Sequence, residues 1–300
     1  MDASEETRDW AELPRDALLA VFHSLQHADV LMRAGQVCRP WRRAAREEPE
    51  LWRRIDLRRR AALSTSILYH LDVMARTAVT CSAGQCEAFW AEDFVDDTFI
   101  FFLSHRATGL RSLRLISCNI SKQAALNEAI TRFSMLEELE LSLCSGATTA
   151  SGHYNLADTC TAAAKACRNL KCLRLNKYRF HRRSGYDGDS EAMEIAKMRG
   201  LRCLQLFGNS LGNAGLAAIL AGCAHLESLD IRHCFNVEVN DETRVMCARL
   251  QTLKLPDDSM DGYDLSFGNP EMNAGIPGLD FPHNAEMNFG FRGDILWDSW

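Results

Sequence analysis

The template Leu-x-x-Leu-x-Leu recurs six times in frame between residues 110 and 255, and no other feature limits so closely what this chain can fold into. The copies are Leu110/Leu113/Leu115, Leu136/Leu139/Leu141, Leu170/Leu173/Leu175, Leu201/Leu204/Leu206, Leu226/Leu229/Ile231 and Leu250/Leu253/Leu255, with starts 26, 34, 31, 25 and 24 residues apart. Two weaker copies precede them. Trp52-x-x-Ile55-x-Leu57 opens the series, and Cys86-x-x-Phe89-x-Ala91 is a degraded second unit. Apolar residues at alternate positions predict a short strand per copy, with the intervening residues on the opposite face. Helical patterns lie between the strands, such as Ala124 to Ile130 and Gly215 to Leu220. One such unit cannot bury its own apolar face, so neighbours must stack. The expected fold is α/β: a curved solenoid over residues 51–255, about eight repeats with the first two degraded, and parallel strands on the concave face.

The clearest unit, Leu204 to Leu216, resembles leucine-rich repeats, and the cysteines point to their cysteine-containing subclass. Cys118, Cys144 and Cys234 fall three residues past the last template position, at the expected turn, while Cys167, Cys223 and Cys247 stand three residues before a repeat start. In such places a thiol is most often a small buried hydrophobe. Zinc binding is the sharper alternative, since Cys160, Cys167 and Cys172 lie close together, but the chain has no CxxC pair.

The N-terminal segment, residues 8–50, follows a different period. Pro14 suits a helix start. Leu18, Val21, Phe22 and Leu25 then share one helical face at i, i+3, i+4 and i+7. Asp29 is placed to cap a second short helix, Val30 to Ala34, which Gly35 would end, and Pro40 suits the start of a third. A three-helix unit of this size is too small to bury Val37, Cys38 and Trp41 as well, so a partner or the solenoid must cover the remainder. Taken alone, the apolar face reads first as plain core packing of a helical domain.

Leu13-Pro14, the Leu18/Phe22/Leu25 helix, Asp29-Val30, Val37-Cys38-x-x-Trp41-Arg42 and Leu51-Trp52 together resemble the F-box motif. Followed by cysteine-containing repeats, the span 8–255 resembles an F-box/LRR-repeat protein of the plant type. Members of that family are substrate receptors of SCF ubiquitin ligases. The resemblance implies that Leu13, Pro14, Leu18, Phe22, Leu25, Val37 and Trp41 carry or support binding to a Skp-type adaptor, and through it to a cullin/RING ligase. Pro40 departs from the polar residue usual at that place, which bears on where the third helix begins.

Substrate would then meet the concave face. Its expected outward residues are Ser112, Arg114 and Ile116; Glu138, Glu140 and Ser142; Cys172, Arg174 and Asn176; Cys203, Gln205 and Phe207; Ser228, Asp230 and Arg232. Phe207, exposed beside Arg174 and Arg232, is the expected anchor. The two longest repeats add residues between strand and helix, Ser145 to Asn155 and Arg179 to Gly188, expected on one rim. The second holds Arg179, Arg182 and Arg183, a candidate acceptor for an acidic or phosphorylated segment. The plainer reading is a tolerated insertion. The arginines from Arg53 to Arg60 read as a solvated face of the first repeat, with nuclear localisation as the sharper alternative.

Composition excludes several classes. The N-terminus is polar and acidic, with no secretory pattern, and apolar runs such as Phe99 to Leu103 are too short to span a bilayer. A cytoplasmic or nuclear protein with reduced cysteines is expected. The net charge of −6 is uneven: residues 256–300 carry nine acids and one Arg, and read as an acidic disordered tail. The remainder is not basic enough to argue for nucleic acid. No GxSxG, HExxH, GxxxxGK[ST] or GxGxxG motif groups the nine His and twelve Cys into an active site. The expectation is a non-catalytic adaptor with no cofactor, the alternative being a repeat scaffold or inhibitor that acts outside a ligase.

Overall fold

The computed structural model describes residues 9–58, 70–144, 156–177 and 189–259. Eight strands form one sheet in strict sequence order, every neighbouring pair parallel. They are β1 (Arg54–Leu57), β2 (Ala88–Glu92), β3 (Ser112–Ile116), β4 (Glu138–Ser142), β5 (Cys172–Asn176), β6 (Cys203–Gln205), β7 (Ser228–Asp230) and β8 (Thr252–Lys254). The fourth template position runs straight across the sheet as Ile55, Phe89, Leu113, Leu139, Leu173, Leu204, Leu229 and Leu253, all in register. The degraded second unit takes its place in this column because Phe89 fills the slot of a leucine and is fully buried. Helices return the chain between strands, as parallel pairing requires.

Five of the repeats turn sharply just beyond their strands. The second residue after the last template position has positive φ at Asp93, Ser117, Leu143, Gly208 and His233. Only one of these is glycine. A left-handed non-glycine residue costs roughly 1–2 kcal/mol, and a continued hydrogen-bond ladder offsets it. Ser117 N donates to Ser142 O at 2.8 Å, Leu143 N to Asn176 O at 2.8 Å, Gly208 N to Arg232 O at 3.1 Å and His233 N to Pro256 O at 3.0 Å. The turn cysteines add bonds of their own: the Cys234 thiol donates to Leu206 O at 2.8 Å and that of Cys144 to Leu115 O at 3.4 Å, each reaching into the preceding repeat. At the helix ends, Cys167 reaches Phe133 O at 3.5 Å and Cys223 reaches Ile195 O at 3.4 Å. Burial pushes the Cys234 thiol up to about 12 and those of Cys167 and Cys223 to about 11, so these sulfurs stay protonated donors. Among the described residues no group of three His, Cys, Asp or Glu is placed to hold a metal ion, and none of their helices is long and apolar enough to cross a membrane.

The N-terminal module begins with helix α1 (Arg15–Ser24), entered at Pro14. The second helix differs from the sequence reading. Helical backbone starts at His27 and continues through His27–Asp29, a π-helical turn Val30–Ala34 and Gly35–Val37. Asp29 makes no capping bond, and Gly35, with φ −65°, stays in the right-handed helix instead of ending it. Glycine stops a helix by adopting positive φ; here its small size serves packing instead, since a Cβ would stand 3.2 Å from Val30 O. Helix α3 (Arg39–Glu47) takes Pro40 in its first turn.

The module and the repeats share one apolar core. Phe22 and Trp41 meet edge to face at 5.6 Å. Trp52, with no exposed surface, donates its indole N–H to Ala45 O at 2.7 Å and lies 5.8 Å from the His27 ring. Burial lowers the pKa of His27, keeping a neutral ring whose Nδ1 accepts from Asp56 N. These contacts tie the helical module to β1 with no intervening linker.

Candidate functional site

The residues assigned to the helical module separate into two sets. Leu18, Phe22 and Trp41 are buried and build its core. Leu13 is half-buried, while Pro14, Leu25 and Val37 are exposed. Leu25 and Val37 remain 37% and 53% exposed, a poor state for aliphatic side chains unless something covers them. Two further residues join them. Val21 is 36% exposed, and Trp10 is 53% exposed although its carbonyl accepts the Trp41 indole N–H at 2.8 Å. Val21 was legible as a member of the amphipathic face. Trp10 was not, because it precedes the helix in a short 3-10 turn, Trp10–Glu12, outside any period.

On the sheet face, one outward column is closed. Ile116, Ser142, Asn176, Phe207 and Arg232, each the residue after the last template position, are all buried. A left-handed residue follows every member but Asn176, and hydrogen bonds knit this column into a ladder: Asn176 Nδ2 donates to Ser142 Oγ at 2.8 Å, and Phe207 N donates to Asn176 Oδ1 at 3.2 Å. Phe207 is therefore not an exposed anchor: it is 4% exposed, with the His233 ring stacked on it at 4.6 Å. Arg232, 1% exposed, is held by both carboxylate oxygens of Asp230, at 3.0 and 2.8 Å, and bonds Ser259 O at 2.8 Å.

Arg174 does face outward but is committed to neighbours. Its Nη1 and the Nη2 of Arg114 both lie 2.6 Å from Glu138 Oε1, and Glu140 Oε2 lies 3.5 Å from Arg174. Burial alone would raise the Glu138 pKa; hydrogen bonds from Arg114, Ser112 and Arg174 overcome it and bring the group down to about 2. Trp90, in the same column as Arg114 and Glu140, sits with Arg58 at 4.7 Å and Arg114 at 4.6 Å from its ring centre. Cation–π contacts of this kind hold an aromatic plane in place. Trp90 lacked a sequence signal only because the second repeat is degraded, though the register of the template marks it as outward; Arg58, read as part of a solvated arginine run, is instead held by Trp90 and by the Asp56 carboxylate. Arg179, Arg182 and Arg183, with both long insertions, lie outside the described residues, as does the chain beyond Ser259.

A buried ion pair stands at the roots of those insertions. Lys177, next after β5, and Glu191, in the helix Ser190–Ile195, are 2.7 Å apart, and the carboxylate also accepts from Leu156 N at 2.7 Å and Asn209 Nδ2 at 2.8 Å.

A small helical module fused to an eight-stranded leucine-rich-repeat solenoid defines a docking protein with two separate faces. Residues 10–58 match the F-box-like family. Across 90% of its length the chain is 36% identical to the F-box protein SKIP19 of Arabidopsis thaliana, spanning 84% of that protein. It is 35% identical to the putative F-box/LRR-repeat protein 22 of the same plant, over 88% of this chain and 82% of the relative. The chain belongs to the plant F-box/LRR-repeat family.

Proposed function

We propose that this protein is a substrate-recognition subunit of an SCF-type ubiquitin ligase. Its helical module binds a Skp-type adaptor, and its sheet face engages a protein that is thereby ubiquitinated and degraded. The observation that carries the reading is the set of exposed apolar side chains, Trp10, Val21, Leu25 and Val37, on a module whose Leu18, Phe22 and Trp41 are buried. Family membership supports the same role, since F-box/LRR proteins are in general non-catalytic adaptors. Chemistry by this chain is not required: holding a substrate beside a charged enzyme raises its effective concentration.

On the substrate side, the reading centres on Trp90, Arg114, Glu138 and Arg174. Their charges are internally paired, so specificity would come from shape and from displacement of these pairs, in the way rim-exposed charges set partner choice. The cytoplasm and nucleus are the compartments in which we place this activity.

Co-purification with a Skp-type adaptor tests the role. The wild-type chain should retain the adaptor, and Leu25→Asp/Val37→Asp should lose it while keeping its helical circular dichroism. A wild-type chain that retains no adaptor would leave the repeat scaffold as the better account.

A further inference from the structure

Twelve cysteines occur in the chain, and eight are buried among the repeats. Cys172 and Cys203 are different. They are the first residues of β5 and β6, and the parallel register places them directly opposite each other. Each precedes an inward template residue, Leu173 or Leu204, so both sulfurs lie on the outer face of the sheet, and both residues are half-buried, not enclosed. Neighbouring strands are about 4.8 Å apart, inside the roughly 4.4–6.8 Å range of Cα separations that a disulfide bridges. The two side chains are close enough to shift each other's ionisation in opposite directions. Arg174, two residues along β5, adds positive charge beside both.

We propose that Cys172 and Cys203 are a reversible dithiol–disulfide site on the outer face of the sheet, with a small-molecule disulfide such as oxidised glutathione as the oxidant.

Cys203 is the attacking sulfur. The neighbouring Cys172 thiol holds its pKa down to about 6, against burial and with help from Arg174 and Ser228. A substantial thiolate fraction at neutral pH follows. The Cys203 thiolate attacks one sulfur of oxidised glutathione, forming a mixed disulfide and releasing one glutathione thiolate. Cys172 then loses its proton to solvent and attacks the Cys203 sulfur, forming the internal disulfide and releasing the second glutathione. The protein dithiol is oxidised by two electrons, and oxidised glutathione is reduced to two thiols.

Both thiols belong to a sheet surface that would change shape and lose two hydrogen-bond donors on oxidation. The chemistry itself does not depend on what docks there, so it is tested on the isolated full-length chain. The chain is equilibrated in glutathione buffers of increasing oxidised fraction, the remaining thiols are trapped by alkylation, and the peptides are read by mass spectrometry. Cys172 and Cys203 should lose alkylation together, at a common midpoint, and yield a joined peptide that dithiothreitol separates. In Cys172→Ser, Cys203 should stop at the glutathione adduct. Full alkylation of both residues in every buffer would overturn the proposal. So would a wild-type chain in which Cys203 keeps its glutathione, or one in which either sulfur pairs with another cysteine.

Discussion

Glu191 and Lys177 form a buried ion pair that also fastens the ends of two insertions. Lys177 Nζ lies 2.7 and 2.8 Å from the two carboxylate oxygens, and the Glu191 side chain is 4% exposed. Leu156, whose N–H the same carboxylate accepts, is the first described residue after the 145–155 insertion, and Lys177 is the last before 178–188. One carboxylate therefore serves two repeats. Removing one partner of a buried pair leaves an uncompensated charge and costs about 3–5 kcal/mol. Glu191→Ala should lower the unfolding free energy by that amount, read as a lower urea midpoint with little change in slope. Glu191→Gln, which keeps an acceptor for Leu156 N, should lose less. Equal midpoints for Glu191→Ala and wild type would show that the pair contributes nothing net.

Exposed and buried members of the helical module should behave differently on mutation. Val21→Asp, Leu25→Asp and Val37→Asp should each weaken adaptor retention while shifting the unfolding midpoint little. Phe22→Ala and Trp41→Ala should cost about 3–5 kcal/mol of stability by leaving cavities, and lose the adaptor only through that. Thermal unfolding and adaptor binding, measured on the same preparations, separate the two effects.

The sheet face should give the protein an acid-sensitive component. Glu138 is held at about 2 in the folded chain, against an ordinary 4.5. The unfolded chain therefore takes up this proton first as pH falls, so the stability contributed by Glu138 is complete above pH 4.5 and declines between there and about 2. Urea midpoints of Glu138→Gln, compared with wild type across that window, should fall less steeply. Parallel curves would place the acid sensitivity elsewhere.

Gly208 occupies the positive-φ turn after β6, with φ 63°, and a Cβ there would stand 2.9 Å from Lys177 O. Gly208→Ala meets both a left-handed backbone and a carbonyl contact. It should cost about 1–2 kcal/mol or more, read as a drop in thermal midpoint. The turns after β2, β3, β4 and β7 carry aspartate, serine, leucine and histidine at the same place.

Much of this architecture is legible in the chain itself, because the leucine template is local and repeats. A period-2 apolar pattern decides which residues turn inward, and Phe89 shows that even a degraded copy keeps the rule. The first helix of the N-terminal module is legible from its period for the same reason. What the pattern could not decide is what happens where each strand ends. Phe207 and Arg232 share the outward parity of the half-buried Gln205, yet the left-handed turn closes over them. Gly35 carries a helix-stop signal that the π-helical turn overrides. The Lys177–Glu191 pair joins residues from a strand end and a helix that have no pattern in common. Local sequence sets inward and outward; burial at the turns and ion pairing between repeats depend on how neighbouring repeats stack, which is a property of the assembled solenoid alone.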